Sequence, residues 1–144
     1  MAYIRVWLHC VWGTKNRYPY LTDAIRSTVI DHIKSNAKEK SIFIDCINGH
    51  IDHLHCLISM TTTQSIAEIM QNLKGESSFW INKQGITKQK FQWADEYYVV
   101  SVSESQLSKV RDYIKKQPEH HRKKTWSEEC EEFMKVYGFN RVGG

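Results

Sequence analysis

Residues 41–60 read SIFIDCINGHIDHLHCLISM, two runs of β-branched and apolar residues separated by the turn-forming NGHIDH. The first run, 41–47, and the second, 53–60, are each long enough for a strand, and so short a connection makes them an antiparallel hairpin. Side chains alternate along a strand, so His53 and His55 share one face while Leu54, Cys56 and Ile58 point to the other. One face is built for a core. The other presents two imidazoles.

Upstream of the hairpin, residues 3–12 (YIRVWLHCVW) read as a first strand ending at Gly13. The basic, aromatic loop GTKNRYPY follows, in which Pro19 discourages a helix, and Thr22 then caps a helix running to about Lys40. Ala24, Ile25, Val29, Ile33 and Ala37 supply its apolar face. Beyond the hairpin, the polar TTTQ introduces a helix over 65–83, with Ile66, Ile69, Met70, Leu73 and Phe79 near helical spacing. FQWADEYYVVSV (91–102) reads as the fourth strand, interrupted at Asp95 and Glu96. Ser103 or Ser105 then caps a helix packed through Leu107, Val110 and Ile114 and ending near Pro118. The order is β-α-β-β-α-β plus a C-terminal helix. It predicts an α+β, ferredoxin-like fold whose antiparallel sheet hides one face beneath two helices and leaves the other available. In the tail, Phe133, Met134 and Tyr137 can pack along a short helix, on the same chain or on a neighbour.

A chain of 144 residues with 41% apolar and 25% charged side chains is one domain and is not intrinsically disordered. Its net charge of +4 permits a nucleic-acid partner without requiring one. The four cysteines, Cys10, Cys46, Cys56 and Cys130, form no CxxC pair, and the start lacks the pattern of a secretory signal. No apolar stretch approaches the roughly 20 residues of a membrane span, so the expectation is a cytoplasmic protein with reduced thiols and no membrane partner.

Two constellations can carry chemistry. The His53/His55 pair suits a borderline metal if further ligands arrive from elsewhere; the plain alternative is a pair of hydrogen-bonded strand histidines. Tyr113 and Gln117 lie four apart and share a helix face, with Lys109, Lys115 and Lys116 near enough to favour phosphate. A tyrosine oxygen, with a free pKa of about 10, attacks a phosphate effectively when a cation neutralises the electrophile. The plain alternative here is a packed tyrosine and a solvated amide. Asp52 reads as a turn residue or a support for the histidines rather than a ligand, and His50 is in a similar position. His120 and His121, beside Arg122, Lys123 and Lys124, form either a solvated basic face or a phosphate-contacting one. Residues 105–125 carry seven Lys/Arg against two Asp/Glu, a local +5 around Tyr113, while 126–144 carry two against four. Lys15 and Arg17 beside Tyr18 and Tyr20 offer a further basic, aromatic loop for an unpaired strand, or simply local packing. Trp80 and Trp93 read as core or interface.

IDHLHCLISM, then FQWADEYYVVSV, then VRDYIKKQPEHHRKKTWSEE, in that order, resembles the small tyrosine transposases of the IS200/IS605 type, members of the HUH endonuclease superfamily. His53-Leu54-His55 matches the family's His-hydrophobic-His. Tyr113 matches the nucleophile of its YIxxQ pattern, and Gln117 matches its third protein metal ligand. The resemblance implies a single domain over 1–144 with 119–144 as an extension. It also implies Mg²⁺ as the cofactor, with Mn²⁺ able to substitute, and single-stranded DNA bearing hairpin-forming palindromes as the substrate. Cleavage would leave a covalent 5′-phosphotyrosine and a free 3′-OH, and the protein would be a homodimer whose subunits share active sites. A domesticated, repeat-associated relative would use the same chemistry. A non-catalytic ferredoxin-like RNA-binding module is the alternative from another class; it would use the open sheet face and leave the Tyr113/Gln117 spacing without a task.

Overall fold

A computed structural model describes residues 1–120, 125 and 127–129. The strands are β1 (Val6–Gly13), β2 (Phe43–Gly49), β3 (His53–Met60) and β4 (Tyr98–Val102), and they form one sheet in the order β2-β3-β1-β4. Every neighbouring pair is antiparallel, as the ferredoxin-like order requires. The helices are α1 (Asp23–Glu39), α2 (Ile66–Met70), α3 (Glu76–Gln84), α4 (Leu107–Lys115) and α5 (Gln117–His120). No helix among the described residues is long and apolar enough to cross a membrane.

Strand parity separates two clusters. Leu8, Cys10 and Trp12 of β1 with Leu54, Cys56 and Ile58 of β3 face the main core, which α1, α2 and α3 close through Val29, Ile33, Ile69, Leu73 and Ile81. On the opposite face Leu57 packs with Leu107 and Ile114. That second face was expected to lie open. Instead α4 crosses β2 and β3, which removes much of the surface that an RNA-binding sheet would need.

β1 starts at Val6 rather than Tyr3 because its partners run out: Val6 already faces Met60, the last residue of β3, and Trp7 faces Val102, the last of β4. Likewise β4 is only five residues, with Trp93 joined to Thr14 by an isolated bridge. In α1, Ala24 is exposed while Arg26 is buried, the reverse of the apolar pattern. The Arg26 guanidinium is satisfied by the Leu21 carbonyl at 3.1 Å and by Asp23 at 2.7 Å, which makes its burial tolerable. The segment expected as one helix over 65–83 is wound as α2, a π-helical turn at Gln71–Gly75, and α3. Four of its buried positions recur every four residues, at Ile69, Leu73, Ser77 and Ile81, with Met70 buried beside the first. Phe79 lies between the last two and is 67% exposed instead of packed. Trp93 is core, with its indole N–H donating to the Ser77 hydroxyl at 2.9 Å.

The helix expected to carry both Tyr113 and Gln117 is broken. α4 ends at Lys115, and Gln117 opens α5. Pro118 has no N–H to return to Ile114, and its ring crowds that carbonyl, so the chain restarts with the proline inside the first turn, where it is tolerated. Residues 121–124, 126 and 130–144 lie outside the described residues, and with them the expectations for His121, Arg122, Lys123, Lys124, Cys130, Phe133, Met134 and Tyr137.

Candidate active site

β1, β3, α4, α5 and Glu129 converge on one buried cluster. In the β1–β3 ladder Val11 faces His55 and Gly13 faces His53, so the β1 side chains of the same parity approach the imidazoles. Gly49, at the end of β2, permits the tight entry into β3: a Cβ there would stand 2.0 Å from the His53 carbonyl oxygen. His53 and His55 are both fully buried, with ring centroids 5.2 Å apart. The strand reading of one shared face holds.

Each imidazole is held from behind. His53 Nδ1 lies 2.8 Å from Asp52 Oδ1, a carboxylate–imidazole pair that leaves Nε2 directed inward. His55 Nδ1 lies 2.9 Å from His9 Nε2. Burial lowers the His9 pKa to about 4, so His9 stays neutral and its Nε2 can accept the His55 proton. The Nε2 of His55 then carries a lone pair into the site. Asp52 thus behaves as a support. His50 contributes its backbone N–H to the turn, donating to the His53 carbonyl at 3.0 Å.

From the other side, Gln117 is fully buried with Oε1 3.0 Å from His53 Nε2. Tyr113, half-buried, sets its ring edge-on to His55 with centroids 5.4 Å apart. Sequence reasoning missed Glu129. It is 1% exposed, with Oε1 3.1 Å from His55 Nε2 and Oε2 3.6 Å from His53 Nε2. The Tyr113 hydroxyl donates to its Oε1, and Gln117 Nε2 lies 3.4 Å from the same oxygen. Nothing in the acidic tail distinguishes Glu129 from Glu128, Glu131 or Glu132; only the fold selects it. His9 was also missed, because its approach depends on strand pairing.

The donor set fits a divalent cation. Ligand atoms of His53, His55 and Glu129 lie within 4.8 Å of one another. The inward His53 Nε2 also meets the Gln117 carbonyl oxygen, two lone-pair bearers that a shared cation satisfies together. Within the described residues His53, His55, Gln117 and Glu129 come together in one cluster.

The profile of the family described as "Transposase IS200 like" matches residues 2–117. The chain belongs to that family. It is therefore a single-tyrosine transposase of the HUH class, acting on single-stranded DNA. The ISDra2 transposase TnpA of Deinococcus radiodurans is 27% identical over 116 residues, covering 76% of this chain and 81% of that protein. A crystal structure of a Deinococcus radiodurans R1 protein assigned as a transposase superposes with a TM-score of 0.66 at 24% identity, over 81% of this chain and 94% of that one. A REP-associated tyrosine transposase bound to a REP hairpin gives 0.62 at 14% identity, over 84% and 72%. At these identities the two solved structures speak for the fold, and the family match carries the activity.

Proposed function

We propose that this transposase cuts and rejoins single-stranded DNA at hairpin-forming palindromic ends, with Tyr113 as the nucleophile and His53, His55 and Gln117 as ligands of the cofactor. The observation that supports it is that the histidine pair and the Tyr113/Gln117 pair, far from each other in sequence, share one cluster. The cofactor is Mg²⁺, with Mn²⁺ able to substitute; bound there with Glu129 as a further oxygen donor, it would neutralise charge on the scissile phosphate. His9 and Asp52 hold the two rings in the tautomers that coordination needs. Tyr113 Oη attacks phosphorus: the Oη–P bond forms, the P–O3′ bond breaks, and the strand 5′ to the cut leaves through its 3′-oxygen, which takes a proton from water to become a free 3′-OH. The phenolic proton already points at Glu129 Oε1, which can receive it. The 3′-OH of another strand then attacks the phosphotyrosine and restores the tyrosine, so no nucleotide triphosphate is consumed.

The same reading takes 1–144 as one domain with 119–144 as an extension, acting in the cytoplasm or nucleoid as a homodimer on hairpin DNA. The family match ending at residue 117 supports that division, and the hairpin-bound relative supports that substrate. Palindromes flanking the gene would mark a mobile element, and scattered genomic palindromes a domesticated enzyme.

The test incubates the protein with a hairpin-bearing single strand and Mg²⁺ and looks for a covalent adduct on a denaturing gel. The wild type forms it, and Tyr113→Phe and the His53→Ala/His55→Ala double variant do not. Cleavage that survives in Tyr113→Phe would mean that water is the attacking group and would reject the reading.

A further inference from the structure

α4 is nine residues, too short to be stable alone, and it rests on the sheet through Leu107 and Ile114 packed on Leu57, with Trp7, Cys46, Val102, Val110 and Tyr113 against that cluster. Such contacts set the height of the helix and which face it turns to the sheet but do not fix its slide along β2, because dispersion and burial are not directional. Two polar attachments do. Two residues before Tyr113, the Arg111 guanidinium meets Asp45 through a double contact, Nε to Oδ2 at 2.8 Å and Nη2 to Oδ1 at 2.9 Å. Two residues after Tyr113, Asn48 Nδ2 donates to the Lys115 carbonyl at 3.0 Å. The tyrosine is bracketed from β2.

β2 is shaped for this. Its pairing with β3 shifts register between Ile44 and Cys46, with Asp45 as the extra residue. Ile44 and Ile47 pack against the main core, while Cys46 packs against the α4 cluster and Asp45 reaches Arg111 of α4. The bulge therefore gives the α4 side two consecutive residues, where a regular strand would turn one of them into the core. Asn48, two beyond Cys46, continues on that side.

We infer that Asp45 and Asn48 are positioning residues which clasp α4 on either side of Tyr113, at its middle and its C-terminal end, and hold the Tyr113 oxygen in line with a phosphate at the histidine cluster. The inference rests on the reading of Tyr113 as nucleophile. The pair is partly buried, 38% exposed at Arg111 and 17% at Asp45, and its two-point contact gives direction: a planar fork on a carboxylate fixes orientation that a lysine cannot.

The test uses the full chain, with Asp45→Ala, Asn48→Ala, Arg111→Lys and the Asp45→Ala/Asn48→Ala double variant. Two quantities are measured: adduct formation across a range of DNA concentrations, and amide hydrogen exchange along α4. The double variant is expected to lose about 10-fold or more in rate at saturating DNA with KM within about twofold, because the nucleophile is misplaced and the strand still binds. Amides of 111–115 should exchange roughly 10-fold faster while those of β3 keep their protection. Arg111→Lys, which keeps the charge and loses the fork, should give part of the rate loss. Unchanged α4 exchange, a rate loss matched by an equal rise in KM, or an unchanged rate with a loosened helix would each overturn the inference. If Asp45→Ala does not fold, Asn48→Ala and Arg111→Lys carry the same test. Exchange of α4 reports the clasp whatever group attacks phosphorus, so failure of the clasp is distinguishable from failure of the nucleophile reading.

Discussion

His55 depends on a neighbour that adjacency in sequence does not reveal. His9 lies 46 positions away, yet its Nε2 stands 2.9 Å from His55 Nδ1 in a buried setting that keeps it uncharged. Removing such an orienting partner usually costs a metal site about 10–100-fold in affinity, and His9→Ala should weaken Mn²⁺ binding by that order, read by isothermal titration calorimetry with the fold checked by circular dichroism. Unaltered Mn²⁺ affinity would mean the ring is held by packing alone. At this scale the sequence was readable wherever one element carried the information: the period of two put His53 and His55 together, and spacing brought Tyr113 and Gln117 near each other even though the helix breaks between them. His9 and Glu129 were not readable. The first needs the β1–β3 register, and the second needs the path of the chain after Pro118.

The β2–β3 corner fixes the histidines as an element. A methyl group at Gly49 would collide with the His53 carbonyl and come within 2.9 Å of Leu54 Cα, both backbone atoms that cannot step aside alone. Gly49→Ala should cost about 1–3 kcal/mol of stability in urea denaturation, in the range of overpacked sites, and should displace His53 enough to lower Mn²⁺ affinity as well. Loss of stability with full affinity would show that the corner relaxes away from the site. Element types were legible from composition and alternation, and β3 matches its expected span. The departures come from forces that no single element holds. β1 and β4 are cut to the length of their partners, Phe79 is turned outward by the π-helical winding, and α4 is drawn onto the face that composition left open.

For the molecule as a whole, a single strand reaching Tyr113 would meet positive charge on α4. Lys109, one turn before Tyr113, and Lys115 are both exposed there. Each lysine that neutralises one phosphate contributes about 0.7 to the slope of log K against log salt on single strands, so Lys109→Ala/Lys115→Ala should flatten that slope by about 1.4, measured by fluorescence anisotropy. An unchanged slope would move the DNA path off this face. Active sites shared between the subunits of the proposed homodimer predict that mixing Tyr113→Phe protein with the His53→Ala/His55→Ala variant restores adduct, because a mixed pair holds one intact site. No recovery in the mixture would show that each chain completes its own site.

The alternation within His53-Leu54-His55-Cys56 also sorts ligands by softness. Cys10 and Cys56 face each other across β1 and β3 on the core side, one position out of phase with the imidazoles. Burial pushes the Cys10 thiol up to about 12 and the Cys56 thiol well above its ordinary value. Protonated and turned away, neither competes for a hard cation. A slip of β3 by one residue would exchange the two faces and put Leu54 and a single thiol, Cys56, where the two imidazoles now stand, dismantling the nitrogen pair. The pairing register that shapes the sheet is thus also what keeps sulfur out of the candidate cation site.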